Sequence, residues 1–477
     1  MSDKYSFIID GEHCTSGEVL EVKNPYKSEV IGVVFRPGDS EVERSIESSV
    51  RGFQKSRKFP TYKRSQLLAS AASTIDKRKE ELAALLCRES GKPIKFAKAE
   101  VQRAVSTLSI ASEEATRIVG ETVPLDITEK AGDRLGIVRR FPVGPIAGIT
   151  PFNFPLNLVC HKVAPALAAG NTISIKPATA TPLSALTLGE IFLENDILPG
   201  FLNVIPCSSQ TADKLVTDPR IKMITFTGSA EVGWNLKSEA GKKKVCLELG
   251  GNAAVVIEPD CDIKTAVQRS ILGGFAFSGQ VCISVQRIFV HEKIFDEFTE
   301  SFLREVKKLI LGDPLSEKTD IGPMIDEGAA IRTEEWVKEA TDKGGKILTG
   351  GERDGNMFAP TVLTNVPAEA RVCSAEVFAP VVVMEKYTSF EDALDKVNDS
   401  VFGLQAGVFT RDIDKAFRAF NTIEVGGVII NDVPTFRVDS MPYGGVKESG
   451  FGREGVKYAL EEMTELKIMV VNHGLDR

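Results

Sequence analysis

Apolar positions along the chain change their period twice, and the changes mark its organisation. Within residues 64–87 they recur at helical spacing, at Leu67, Leu68, Ala71, Ile75, Leu82, Leu85 and Leu86, and Gly91 with Pro93 supplies a stop. This predicts one helix over 64–87 and a second over about 95–119 that carries Arg103. From Pro145 the pattern becomes short apolar runs. Ala147-Gly148-Ile149, Thr172-Ile173-Ser174-Ile175, Leu202-Asn203-Val204-Ile205 and Met223-Ile224-Thr225-Phe226 read as strands, separated by helical segments near 161–169, 184–194 and 210–217. Such alternation implies parallel strands joined by crossover helices. A second alternating set follows Cys246, with Ala253-Ala254-Val255-Val256, Arg287-Ile288-Phe289-Val290, Val381-Val382-Val383-Met384 and Val428-Ile429-Ile430 as strands. Two α/β domains joined near residue 247 are the simplest division.

Residues 120–140 fit neither set. Thr122, Val123, Pro124 and Leu125, then Leu135, Ile137 and Val138, alternate polar and apolar side chains as a protruding hairpin would. Exposed strand edges with apolar faces favour partners, although a strand pair within the chain is the alternative.

Composition narrows the function classes. A chain of 477 residues exceeds one hydrophobic core, and its 43% hydrophobic and 26% charged content is that of an ordinary soluble protein. A net charge of -8 argues against nucleic acid as main partner, because phosphate backbones need clustered Lys and Arg. No signal peptide is legible at the amino terminus. The 8 cysteines are scattered without a CxxC pair or a His-containing ligand spacing, which suits free thiols in the cytoplasm and no metal. Residues 141–160 carry no charge, but four prolines would cost a spanning helix its backbone hydrogen bonds in lipid, so this stretch reads as buried interior.

Three motifs carry chemistry. Cys282 lies in Phe277-Ser278-Gly279-Gln280-Val281-Cys282, Glu248 in Leu247-Glu248-Leu249-Gly250-Gly251-Asn252, and Asn153 in Pro151-Phe152-Asn153-Phe154-Pro155. A thiol beside a small turn, a carboxylate at a strand end and an amide that can donate to an oxyanion suit nucleophilic catalysis. Singly, each has a structural alternative: a buried small hydrophobe, a turn-capping carboxylate, a turn former before proline. Gly450-Phe451-Gly452-Arg453-Glu454-Gly455 fits GxGxxG literally, but too little chain follows it for a βαβ unit, so the match is read as accidental. A better anion cradle is Phe226-Thr227-Gly228-Ser229, after a predicted strand and opening a predicted helix, with backbone N–H groups and the Ser229 hydroxyl facing outward.

Together, and with Ser174-Ile175-Lys176-Pro177, Glu376-Val377-Phe378-Ala379-Pro380, Asn431 and Tyr443-Gly444-Gly445, these motifs resemble the aldehyde dehydrogenase superfamily over nearly the whole chain and in its order. The resemblance implies two doubly wound parallel-sheet domains, one Rossmann-like for the cofactor and one catalytic, plus a β oligomerisation hairpin. It implies residues 1–121 with 143–247 as dinucleotide-binding domain, 248–447 as catalytic domain, and 122–142 with 448–477 as oligomerisation segments of a homodimer or homotetramer. It implies NAD or NADP as cofactor, with Phe152, Lys176, Thr179, Gly228, Ser229, Glu376 and Phe378 around it. Lys176 would bind the adenosine ribose and Glu376 the nicotinamide ribose, with Phe378 near the nicotinamide. Thr179 stands where NAD-preferring relatives often carry a carboxylate, which leaves NADP open.

In the implied chemistry Cys282 adds to the aldehyde, Asn153 and the Cys282 N–H hold the oxyanion, and Glu248 activates water against the resulting thioester. The branch that uses coenzyme A typically lacks this glutamate. The cleft positions offer Arg103, Asn157, His161, Arg437 and Ser440, a polar and cationic set resembling the branch of lactaldehyde and non-phosphorylating glyceraldehyde-3-phosphate dehydrogenases. The expected substrate is a short aldehyde with a hydroxyl or anion, paired with Arg103 or Arg437. Ion pairs within the fold are the alternative for both arginines, and a core role the alternative for His161. Succinic semialdehyde or a general short aldehyde is a second substrate reading. A silent relative, or a cofactor-free thiol esterase, would be told apart by the absence of cofactor-dependent turnover.

Overall fold

The computed structural model describes residues 3–473. Its chain forms two α/β sheets. The first has eight strands in the order Gly450–Phe451, Lys244–Glu248, Met223–Thr227, Pro145–Ile149, Thr172–Lys176, Leu202–Val204, Phe7–Ile9 and Glu12–Cys14. The five central strands are parallel and the outer ones antiparallel. The second has seven strands, with Val285–His291, Ala253–Ile257 and Gln405–Phe409 parallel at its centre. Central strands such as Ala253–Ile257 and Val285–His291 are buried along their whole length, as strands covered on both faces must be. Helices Asn157–Ala169 and Leu183–Glu194 connect strands of the first sheet by the crossovers that the alternating pattern predicts.

One helix is divided. The segment expected as a single helix over 64–87 is Thr61–Lys77 followed by Lys79–Ser90, because Arg78 leaves helical geometry at φ -100° and ψ 17°. Helical periodicity persists across the break because both pieces bury their apolar stripes in the same core, so period alone could not reveal it.

Strands Glu121–Pro124 and Arg134–Pro142 form the hairpin, and Thr464–Asn472 pairs antiparallel with the second of these over its full length. The strand pair is thus made within the chain. Residues 450–462, assigned from sequence to the oligomerisation segments, belong elsewhere: Gly450–Phe451 extends the first sheet beside the strand that carries Glu248, and helix Val456–Glu462 packs on helix Asn157–Ala169. The GxGxxG match is therefore an edge strand and its following turn, not a phosphate loop. No helix among the described residues is long and apolar enough to cross a membrane.

Buried Asn171 ties the carboxy-terminal helix to the first sheet. Its Oδ1 accepts from the Gly144 N–H (2.9 Å), and its Nδ2 donates to the Met463 carbonyl (2.9 Å). Asn171→Ala would leave a buried amide without its partner, at a cost of about 1–3 kcal/mol. A lowered midpoint in thermal unfolding is expected, with the far-UV circular dichroism of the native state unchanged.

Candidate active site

One cavity of about 680 Å³ lies between the two sheets and is lined by Asn153, Glu248 and Cys282 together. Glu248 ends its strand at the carboxyl edge of the first sheet, where open α/β sheets place their ligand sites. Cys282 follows a turn in which Phe277, Ser278 and Gly279 all have positive φ. Gly279 is required there, since a Cβ would lie 2.1 Å from the Ala379 carbonyl oxygen. The Ser278 hydroxyl donates to the Gly322 carbonyl (2.8 Å), and the Gln280 side chain accepts from the Ile325 N–H (2.9 Å), so the strained turn is held by its neighbours. Gly251 lets the Glu248 segment approach: a Cβ there would stand 2.3 Å from the Cys282 carbonyl oxygen.

The Asn153 amide donates to the Gln280 carbonyl (3.0 Å), which anchors it to the cysteine turn, while its Oδ1 is buried without a partner. The Cys282 Sγ lies 3.0 Å from the Tyr443 hydroxyl. Burial pushes this thiol up to about 11, against the lowering effects of the Tyr443 hydrogen bond and the Arg437 charge. Both Glu248 carboxylate oxygens are buried without a hydrogen bond. Burial, and then the charge of Glu454, push the Glu248 carboxyl well above the usual range.

Glu454 shifts the opposite way. Despite burial it is held at about 2, by Lys162 first and also by Arg437. Lys162 donates to it at 3.1 Å, and Arg437 at 3.2 Å. Motif reading passed over Lys162 and dismissed the run containing Glu454. Its only sequence signal was a carboxylate among glycines, beside a strand edge that the topology alone reveals. Thr435 was also missed; it lines the cavity with a buried, unpartnered hydroxyl.

At the substrate end a buried carboxylate that the sequence did not single out, Asp439, gathers three of the four expected residues. It accepts from Arg103 (Nη2, 2.7 Å; Nε, 3.3 Å), from Asn157 (3.3 Å) and from His161 Nε2 (2.7 Å). Although buried, Asp439 is held below the carboxylate range by His161 and Arg103, while burial and Arg437 lower His161. With Arg103 as a permanent cation on Asp439, a neutral His161 that donates through Nε2 satisfies both. His161 Nδ1 can then accept from Arg437 (3.4 Å), so both ring nitrogens are in use, and the ring does not line the cavity. His161 is therefore a core histidine, correcting its assignment to substrate. The Asn157 side chain is likewise occupied, by Asp439 and by the Thr107 hydroxyl (2.9 Å). Arg103 and Arg437 both line the cavity while pairing within the fold, with Asp439 and Glu454 respectively.

The remaining cavity fits a dinucleotide. Lys176 is buried at the end of its strand, facing no carboxylate among the described residues, and exposed Thr179 lies beside it. The Ser229 hydroxyl leaves helix Ala230–Glu239 uncapped, so its first N–H groups are open to an anion. The Gly228 N–H is not, because it donates to the Glu248 carbonyl (3.0 Å). The Glu376 carboxylate accepts from the Gly251 N–H (2.9 Å) and is pushed up to about 7 by burial. Phe378, at φ 53°, meets Phe152 edge to face with centroids 5.8 Å apart.

The model of the aldehyde dehydrogenase family matches residues 12–469. The chain belongs to that family. It is 44% identical over 470 residues to 3-sulfolactaldehyde dehydrogenase of Priestia aryabhattai, covering 98% of each chain. Among solved structures it is similar to aldehyde dehydrogenase 21 of Physcomitrella patens in complex with the reaction product succinate (TM-score 0.98, 46% identity, 100% of both chains). It is also similar to the glyceraldehyde-3-phosphate dehydrogenase GapN of Methanocaldococcus jannaschii complexed with NADP (TM-score 0.92, 40% identity, 96% of this chain and 100% of that one). This aldehyde dehydrogenase thus has the fold its sequence implied.

Asp439→Asn removes the buried counter-charge of Arg103, at an expected cost of about 3–5 kcal/mol near neutral pH. A depressed carboxyl contributes stability that is full above the unfolded value of about 4 and is lost as pH falls below it. The stability gap between wild type and variant, read by urea unfolding, should therefore shrink on acidification below about pH 4.

Proposed function

We propose that this aldehyde dehydrogenase uses NAD or NADP to oxidise a short aldehyde bearing an anion or a hydroxyl to the carboxylic acid. The observation that carries the substrate class is Arg437: it lines the cavity and is almost wholly buried, yet its Nε has no partner. Around it the cations Arg103, Lys162 and Arg437 face only two carboxylates held in the ionised state, Asp439 and Glu454. A substrate anion would complete this balance, and guanidinium groups suit planar carboxylate, phosphate or sulfonate oxygens. The names of the relatives, for aldehydes with a sulfonate or a phosphate, and the succinate of the Physcomitrella patens enzyme support the same class. That succinate favours succinic semialdehyde as the second substrate reading.

When bound, the cofactor accepts hydride from the substrate carbon. The dinucleotide would be held by Lys176, Thr179, Ser229 and the Gly228 segment, by Glu376, and by Phe152 and Phe378. The chain's own residues do the rest. Cys282 adds to the aldehyde carbon, giving a thiohemiacetal oxyanion. The second Asn153 amide hydrogen and the Cys282 N–H, which donates to no backbone carbonyl, can hold that oxygen. Once the carbon has reached the thioester level, Glu248 takes a proton from water as water attacks, and Cys282 leaves as thiolate. Glu248 suits this because it makes no hydrogen bond that would hold it away from water. Its presence favours water over coenzyme A. Thr179 sets no negative charge against a 2′-phosphate, which leaves NADP open beside NAD.

We also infer a homodimer or homotetramer, because Leu466, Ile468 and Val470 are exposed on one face of the strand Thr464–Asn472.

Initial rates of NADH or NADPH formation with sulfolactaldehyde, glyceraldehyde-3-phosphate, succinic semialdehyde, lactaldehyde and propionaldehyde test the reading, with Cys282→Ala as the silent control. Arg103→Gln and Arg437→Gln should each raise KM for the preferred anionic aldehyde about tenfold more than for propionaldehyde. Equal effects on both substrates would sink the anion assignment. A carboxyl raised by burial and by the charge of Glu454 gains its base form at higher pH than an ordinary glutamate, so thioester hydrolysis should climb with pH. Glu454→Gln removes a neighbouring negative charge and should move that limb to lower pH, while Glu248→Gln should abolish it and let acyl-enzyme accumulate in mass spectra.

A further inference from the structure

The hydroxyl of Tyr443 has one partner in the site just described, the sulfur of Cys282 at 3.0 Å. The ring is buried, packing in a small cluster with Ile283, Leu404 and Cys282. Its backbone is fixed to Glu454, whose carbonyl accepts from the Tyr443 N–H at 3.0 Å and whose N–H donates to the Tyr443 carbonyl at 2.6 Å. On the ring face stands the Arg437 guanidinium, 3.5 Å from the centroid. A tyrosine held on both sides in this way cannot swing its hydroxyl off the sulfur without breaking the strand bridge or the cation stack.

We propose that Tyr443 is a catalytic residue, whose hydroxyl donates a hydrogen bond to the Cys282 thiolate and makes that thiolate accessible in a buried setting. Burial and the neighbouring sulfur keep the phenol protonated well beyond its ordinary range, so it is the donor once the thiol has ionised. The Cys282 proton goes to a base in solution, the electron pair stays on sulfur, and Tyr443 keeps its own proton throughout. Arg437 adds a positive charge behind the ring and polarises the hydroxyl further. Hydrogen bonding to the charged form of an acid is what lowers its pKa, and here it opposes a strong desolvation effect. A phenylalanine in this place would leave the sulfur with burial and the Arg437 charge, without the hydrogen bond.

The inference rests on Cys282 as nucleophile but on no aldehyde and no cofactor, so alkylation of the free enzyme tests it separately from the dehydrogenase reading. The full-length chain is treated with iodoacetamide between about pH 7 and pH 10, a range spanning ordinary thiol titration. Carbamidomethylation of the Cys282 peptide is followed by mass spectrometry, with Cys282→Ala as blank for the other cysteines. In the reaction the thiolate displaces iodide and a carbon–sulfur bond forms. Tyr443→Phe is expected to react about tenfold more slowly below the midpoint, because each unit rise in pKa cuts the thiolate fraction tenfold. Placing 3-fluorotyrosine at position 443 supplies a stronger donor of nearly the same shape, and should speed the reaction severalfold. Opposite signs for the two replacements are what a merely structural tyrosine would not produce. The proposal is overturned if Tyr443→Phe reacts as fast as wild type, or, should that variant fail to fold, if the fluorinated enzyme reacts no faster.

Discussion

The active site depends on one buried ion pair that takes no part in the chemistry. Lys92 and Glu100, both inaccessible to solvent, pair with each other inside the first domain. Glu100 also accepts from the Leu156 N–H (3.0 Å) and the Asn157 N–H (3.1 Å), and so caps the helix that begins just after Asn153. The Lys92 ammonium lies over the rings of Phe154 (3.8 Å) and Phe277 (4.5 Å), the first beside Asn153 and the second on the cysteine turn. One charge pair thereby fixes the amide segment and the nucleophile segment against each other across two domains. Removing either partner would strand a buried charge, at a cost of about 3–5 kcal/mol. Desolvation alone would make such a pair costly; the two backbone donors and two rings offset it.

The same economy of charge governs the catalytic end. Glu248 and Glu454 are both buried, yet their carboxyls shift in opposite directions because of what each touches. Glu454 meets Lys162 and Arg437 directly, whereas Glu248 meets no donor and feels the negative charge of Glu454. A base that is unpaired is free to approach water, and a carboxylate that is fully paired stays out of the reaction. Arg437 links the two ends of the site: it pairs with Glu454, stacks on Tyr443 beside Cys282, and keeps a buried Nε that has no partner among the described residues.

Much of the fold was legible because its signals are local. Parallel strands buried on both faces must be continuous apolar runs, and crossover helices must alternate with them, so the two α/β sheets and most of their strands could be read from period alone. The division of a helix at Arg78 left no such trace, since both pieces bury their stripes in one core. Cys282, Glu248 and Asn153 were legible as motifs, because strand-end and turn chemistry requires particular neighbours in sequence. His161 was not. Whether a histidine faces a cavity or a core depends on its neighbours in space, here Asp439 and Arg437.

The sequence by itself thus determined the sheet architecture, the order of the motifs that carry Asn153, Glu248 and Cys282 and the family that shares them, since each is written in residues adjacent along the chain. Tertiary structure alone decided which charges meet. Asp439 joins Arg103 and His161 across hundreds of residues, Glu454 reaches Lys162 from the far end of the chain, and the Tyr443 hydroxyl arrives at Cys282 from another loop. Protonation states follow from distance and burial in three dimensions, which no spacing along a chain encodes.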